Sequence, residues 1–341
     1  MIKICAYVKL YALHNKSGGE LYLHHFLKEI KKNVDCEIDI FVYDNEKKLM
    51  YDILEEYDGM KIINLNNDNL GLLNNYDVVI THLDMTIPVC DYCLKFDIKC
   101  FLIIHSYYKN NIEYTKNNKI FSIYNSTNTK SEFVKYNHSN NYNCVILPYF
   151  NFELYSKYYM YEVEDREYIS FINPSESKGA EVVLKIIKHF PNKKFLVVEG
   201  GYYPHLQRLD EFRKFPNCHI IKQTDDVLND IYLKSKIVLQ PSHIETFGMV
   251  ASEAGSLGIP VLINKDCDGL IANLGKMSLG GFSCKDPKDY IKYINMLDDK
   301  NIYGIYSFYM TNVCENNYNK RQEQLNLLFD NWGKILKKKK I

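Results

Sequence analysis

Two glutamates, a lysine and a group of glycines are the residues of this sequence whose types and spacing could do chemistry. The densest stretch is Pro241-Ser-His-Ile-Glu245-Thr-Phe-Gly248-Met-Val-Ala-Ser-Glu253-Ala-Gly-Ser-Leu-Gly258-Ile-Pro260. Glu245 and Glu253 lie eight positions apart, a little over two turns if both were helical. An apolar run precedes the stretch and a helix-like run follows. This sets Glu245 in a loop at a helix mouth and Glu253 one to two turns inside. The backbone N–H groups from Phe247 to Val250 then lie at the positive end of the helix dipole, where an anion binds. A diphosphate fits there, with one carboxylate left for sugar hydroxyls and another for a ribose diol. A second stretch, Asn173-Pro-Ser-Glu-Ser-Lys178-Gly179, also follows a strand-like run and precedes a helix-like one. An ammonium beside a departing diphosphate stabilises the transition state more than the ground state. Alone, each pattern has a bland reading: two surface glutamates on an ordinary helix, and a solvated Lys-Gly turn. The Pro and Gly positions around Glu245, and the place of Lys178 relative to it, favour chemistry in both.

The first stretch resembles the E-x7-E motif of retaining glycosyltransferases, and its surroundings resemble glycosyltransferase family four. The resemblance implies that Glu245 contacts the donor sugar and Glu253 the nucleotide ribose. Thr246, Phe247, Gly248, Met249 and Val250 fall in the donor-binding loop. Lys178 and Gly179 match the family's Lys-Gly loop, whose lysine holds the donor diphosphate. Where the family commonly has an arginine, five residues before this lysine, the chain has Asn173, which leaves the second diphosphate cation to Arg208 or another lysine.

The first half matches less closely. Ser17-Gly18-Gly19-Glu20 resembles the family's glycine pair beside donor phosphates and acceptor; glycines also permit close backbone approach. A plain turn into an acidic helix start explains the same letters. His105, after an apolar run, resembles the family histidine that contacts the donor sugar; a capping histidine is the alternative. His82 has a similar location with less support. Glu199-Gly200-Gly201 resembles a glycine-bearing turn near the nucleotide, and Lys222-Gln223-Thr224 falls where the base is contacted; both assignments are positional. The resemblance covers 168–265 closely and 1–150 loosely.

These residues need elements to hold them. Short β-branched and aromatic runs at 2–8, 36–42, 61–65, 78–81, 100–104, 120–124 and 144–147 predict strands. Leu21, Leu23, Phe26, Leu27 and Ile30 form a helical stripe between the first two. After the Tyr- and charge-rich segment 148–167, a second series of strands is predicted at 168–173, 194–198, 219–222, 237–240 and 260–264. Helices are predicted near 180–189, 205–214, 227–234 and 249–257, and over much of 287–336. Alternating strands and helices with apolar strand runs imply parallel sheets covered on both faces. The fold class is α/β, of the GT-B type, with two Rossmann-like doubly wound domains expected to face a central cleft. Residues 1–150 read as the acceptor-side domain and 151–318 as the nucleotide-sugar donor domain. Residues 319–341 read as a helix returning to the N-terminal domain, with a Lys-rich tail.

Forty-two basic residues balance forty-two acidic ones, so no global field draws the chain to nucleic acid. The run Lys337, Lys338, Lys339, Lys340 reads as a solvated tail; docking on anionic lipid is the alternative, at ~1 kcal/mol per lysine. Ten scattered cysteines with a single CxxC, Cys90 and Cys93, read as reduced, buried thiols. No run approaches a membrane span and the N-terminus has no long apolar stretch, so the expected compartment is the cytosol. The sequons at Asn15, Asn125 and Asn137 are then expected to stay unmodified. No G-x-G-x-x-G follows a strand and no phosphate-loop motif occurs. Asp266-Cys-Asp268 is formally a D-x-D, yet its place after the last predicted strand reads as a solvated loop. No metal and no cofactor is expected, the nucleotide sugar being a substrate. The expected activity is retaining transfer of a hexose from a UDP- or GDP-sugar to a hydroxyl of a glycan or other acceptor. A nucleotide-sugar hydrolase or epimerase, and a non-catalytic nucleotide-sugar-binding protein, are the rivals.

Overall fold

Apolar β-branched runs, buried on both faces, build two separate sheets. The computed structural model describes residues 1–12, 17–43, 55–65, 69–159, 163–200, 204–274 and 282–337. One unit comprises Met1–Tyr149 with Lys320–Ile341, the other Phe150–Asn319.

Among the described residues the first unit holds eight strands: β1 Ile2–Val8, β2 Cys36–Val42, β3 Glu55–Tyr57, β4 Met60–Asn64, β5 Val78–His82, β6 Lys99–Ile104, β7 Ile120–Tyr124 and β8 Asn143–Val145. Their order is β3-β4-β2-β1-β5-β6-β7-β8. All pairs are parallel except β3 with β4, a hairpin turned through Asp58 and Gly59, both at positive φ. Alternation along β1 explains the layering. Ile4, Ala6 and Val8 pack with Leu23, Phe26, Leu27 and Ile30 of helix Gly18–Asn33, while Cys5 and Tyr7 pack with Val89, Cys90 and Cys93 of helix Thr86–Phe96. Fully burying one such Leu, Ile or Phe is worth roughly 1.5–3 kcal/mol. Leu325, Leu328 and Trp332, from near the C-terminus, complete the first of these clusters.

The second unit holds β9 Tyr168–Ile172, β10 Lys194–Val198, β11 Cys218–Ile221, β12 Ser235–Gln240, β13 Val261–Asn264 and β14 Phe282–Cys284, all parallel, in the order β11-β10-β9-β12-β13-β14. The same alternation divides Phe195 and Val197 from Leu196 and Val198. In each sheet the strand order reverses once the chain returns to the far side of its first strand: between β1 and β5, and between β9 and β12. Open α/β sheets bind ligands beyond the strand C-termini at such points.

Two predicted helices are corrected. The span 205–214 holds only a 3-10 turn, Pro204–Leu206, and the short helix Leu209–Phe212. Between them Gln207 leaves helical geometry and bridges to Ser175. The span 227–234 stops at Asp230, because Ile231 turns out of the helix before a 3-10 turn, Tyr232–Lys234. Strands β3 and β14 and helix Asp268–Leu274 were not predicted. Helix Lys300–Asp330 carries the chain from the second unit back into the first.

Candidate functional site

Two loops of the second unit leave β9 and β12 on either side of the strand-order reversal. Register sets Leu239 beside Phe171, so both strands end nearly level. The loops are locked together: His243 N–H donates to the Ser177 carbonyl at 3.0 Å. Gly179 sits at φ +81, and a Cβ there would come within 2.4 Å of the Pro241 carbonyl oxygen. A side chain at 179 would part the loops, so this glycine has a packing reason to be glycine. Lys178 and Glu245 meet across the junction in an ion pair, both partly buried. The same Glu245 oxygen accepts from Ser242 Oγ at 3.1 Å and Gln240 Nε2 at 3.3 Å.

Glu245 lies in the loop, and helix Met249–Ser256 begins four residues later with Gly248 as its N-cap at φ +87. A Cβ at 248 would lie 2.3 Å from Leu270 Cδ2. The N–H groups of Met249 and Val250 open this helix ahead of its first helical acceptor. Glu253 lies in the second turn, half-buried, and accepts the Tyr232 hydroxyl. Burial pushes its pKa up to about 7, against the lowering effect of that hydrogen bond.

Two supports of this mouth were missed in the sequence. Gly269 lies so close under the loop that a Cβ there would be 1.9 Å from the Glu245 carbonyl oxygen. Asn273 donates to the Phe247 carbonyl at 2.7 Å and to Ser252 Oγ at 3.1 Å, and is itself held by Asn317. A glycine in a helix first turn, where propensity disfavours it, was the one available signal for Gly269. Nothing local marks Asn273.

The remaining residues expected in the donor site are engaged elsewhere or give it shape. Asn173 holds a left-handed φ of +61, and a Cβ on Gly200 would lie 2.6 Å from its Cγ. The Gly200 N–H and carbonyl are both taken by Gln207, at 2.9 and 2.7 Å, so Gly200 offers space more than hydrogen bonds. Thr224 Oγ1 donates to Asp230 at 2.6 Å. Phe247 is buried, its ring facing Phe150. Arg208 binds the Asn173 loop through its backbone, N–H to the Pro174 carbonyl, but its guanidinium is clamped by Glu211. Asp266 and Asp268 are exposed and Cys267 between them is buried. Among the described residues no group of three His, Cys, Asp or Glu could hold a metal. Gly201 and Lys338, Lys339 and Lys340 lie outside the described residues, as does Asn15; Lys337 ends the last helix.

A second cluster occupies the β1/β5 reversal of the first unit. Gly18 and Gly19 open the 16-residue helix Gly18–Asn33. A Cβ on Gly18 would meet nothing, whereas one on Gly19 would be 3.1 Å from Leu83 and 3.7 Å from His105 Nε2. Glu20, buried and held by the Ser17 hydroxyl, has its pKa raised by burial. His105 follows β6; its Nε2 lies 2.9 Å from Nδ1 of His82, the last residue of β5. Burial lowers both imidazoles, His105 to about 4 and His82 well below its ordinary value, the latter also through the neighbouring His105. Asn125, one of the sequon residues, is buried and donates to the His105 carbonyl at 3.2 Å. The ten cysteines are free thiols. No described helix is long and apolar enough to cross a membrane.

Comparison with known proteins adds the following. Residues 162–300 match the family model described as glycosyl transferases group 1. D-inositol 3-phosphate glycosyltransferase of Xylanimonas cellulosilytica is 33% identical over a match covering 25% of this chain and 22% of that protein. The chain thus aligns with about a fifth of that relative's length. Sucrose-phosphate synthase of Thermosynechococcus elongatus superposes with a TM-score of 0.79 at 15% identity, covering 97% of this chain and 99% of that one. Anabaena HepE, solved in complex with UDP and glucose, gives 0.74 at 15% identity, covering 96% and 99%. A glycosyltransferase from Rickettsia africae gives 0.76 at 14%, covering 99% of both chains. Likeness at this identity speaks to the fold, which is GT-B, two parallel-sheet Rossmann-like domains. Within that fold, residues 162–300 form a glycosyl transferases group 1 domain.

Proposed function

We propose that the chain is a retaining hexosyltransferase, independent of divalent metal, that moves a sugar from a UDP- or GDP-sugar to a hydroxyl of a glycan or other acceptor. The observation that carries this reading is the Lys178–Glu245 pair at the β9/β12 reversal, in the loop that leads into the N-terminus of helix Met249–Ser256. An ammonium and a helix N-terminus together favour a diphosphate. Glu245, with one oxygen anchored by Ser242 and Gln240, is assigned to sugar hydroxyls, and Glu253 to the ribose diol. His105 is assigned to the donor sugar by the family resemblance. The similar fold of HepE in complex with UDP-glucose, and of the E. coli trehalose-6-phosphate protein bound with UDP-2-fluoro glucose, favours a UDP-sugar.

In this scheme the bond from the anomeric carbon to the diphosphate oxygen breaks and its electron pair stays on that oxygen. Lys178 and the helix N–H groups stabilise the growing charge. The acceptor hydroxyl attacks the same face and gives its proton to the departing oxygen, so no enzyme nucleophile is needed. We place the reaction in the cytosol.

The test is incubation with UDP- and GDP-hexoses and a crude glycan extract, read by product mass and anomeric configuration. Retained transfer supports the proposal. Free sugar regardless of acceptor assigns a hydrolase, and donor binding without turnover assigns a binding protein. Glu245→Gln should depress transfer while leaving affinity for free UDP unchanged or somewhat higher, since Lys178 loses its competing partner.

A further inference from the structure

His82 closes β5 with 2% of its surface exposed. A buried imidazole needs hydrogen-bond partners, or its ring nitrogens are left desolvated. Its partner is His105 Nε2 at 2.9 Å, with the rings at 63° and centroids 5.1 Å apart. Two neutral imidazoles in this contact share one N–H, so the tautomer of one dictates that of the other. Burial favours the neutral form of both rings, and the neighbouring His105 adds to the effect at His82. The backbone supports the arrangement. Leu83, directly after His82, sits at φ +50, a conformation a branched side chain rarely adopts. Such strain, of order 1–3 kcal/mol, gathers at functional sites. Tyr22 meets the His105 ring at 5.2 Å in a T-shaped contact, and a Cβ on Gly19 would lie 3.7 and 3.8 Å from its Nε2 and Cδ2, the edge away from Nδ1. Among the described residues Nδ1 of His105 has no hydrogen bond.

We propose that His82 is a positioning residue for His105: sharing one N–H with its Nε2, it holds the ring in a single tautomer and leaves Nδ1 to meet a substrate hydroxyl. The inference rests on the reading of His105 as a sugar contact, and it adds a residue whose effect passes through another. A histidine that merely filled space would leave His105 free to exchange its proton between the two nitrogens.

The test uses the full chain with ¹⁵N-labelled histidine, whose long-range ¹H–¹⁵N spectra distinguish the two neutral tautomers. The wild type should show His105 in one tautomer. His82→Leu should give a mixture or the opposite tautomer, and His82→Asn, which retains a polar group near the Nδ1 position, should restore one form. Sugar transfer should fall roughly 10- to 100-fold in His82→Leu, as when an outer-shell partner orienting a metal-bound histidine is lost. It should recover in large part in His82→Asn, with UDP affinity unchanged in both. A tautomer mixture in the wild type, or an unaltered His105 in folded His82→Leu, overturns the inference. Should His82→Leu fail to fold, the wild-type spectrum decides by itself. Because the spectra need no substrate, a missing transferase activity would refute the functional reading without touching this result.

Discussion

Replacing Glu253 with glutamine separates what this carboxyl does to the empty protein from what it does for a nucleotide. Burial raises its pKa from 4.5 to about 7. At ~1.4 kcal/mol per unit, the ionised form costs the folded state about 3 kcal/mol. The sign follows from proton counts. Below pH 4.5 both folded and unfolded forms are protonated and there is no penalty. Between 4.5 and 7 the unfolded chain ionises first, so stability falls as pH rises; above 7 the penalty is constant. Glutamine keeps an oxygen to accept the Tyr232 hydroxyl but carries no charge. Glu253→Gln should therefore stabilise the ligand-free protein by up to about 3 kcal/mol at pH 8, and by under ~1 kcal/mol at pH 5. That is a rise in Tm of about 6–10 °C at pH 8 for domains of this size. With UDP the order reverses. Loss of hydrogen bonds to a charged carboxylate should weaken UDP by ~1–3 kcal/mol. Wild-type UDP affinity should itself drop as pH falls below about 7. Melts at pH 5 and 8, with and without UDP, read all of this. Equal stabilisation at the two pH values would refute the burial argument, and unchanged UDP affinity would refute the ribose assignment.

Lys178→Ala should lower turnover at saturating donor by roughly 10²–10³-fold, with Lys178→Arg recovering only part. A folded Lys178→Ala enzyme within about threefold of wild type would place the phosphate site elsewhere. Gly269→Ala forces a Cβ onto the Glu245 carbonyl. It should destabilise the second unit by ~1–3 kcal/mol and cut transfer; a variant normal in both melt and turnover would show that the mouth does not depend on this contact. Transfer should persist in excess chelator. Complete loss, restored by Mn²⁺ but not by spermidine, would end the metal-independent reading.

Strand positions were legible because parallel strands buried on both faces are spelled as short, mostly apolar runs; β1, β7, β10 and β12 are of this kind. Lys178 and Glu245 were legible because each follows such a run and carries its own glycine. Three-residue β3 and β14 have no room for a period. Helix 205–214 was over-read because Gln207 serves Gly200 and Ser175 instead of its own helix, a tertiary choice its neighbours in sequence do not announce. The clamp of Asn273 on Phe247 and the meeting of His82 with His105 join residues more than twenty positions apart, and only the folded chain shows them.

The first unit is built from two separated pieces of the chain, and this orders its birth on the ribosome. Its core closes only with Leu325, Leu328 and Trp332, and Gln324 and Ile335 bond back to Leu147 and Tyr142. At the usual 5–20 residues per second, roughly ten to forty seconds separate the emergence of Tyr149 from that of Trp332. In that interval the second unit, Phe150–Asn319, is made while the earlier-made one stands with an open face. A message cut short before this last segment would leave the second unit whole and the first permanently unsealed, a substrate for chaperones and proteases.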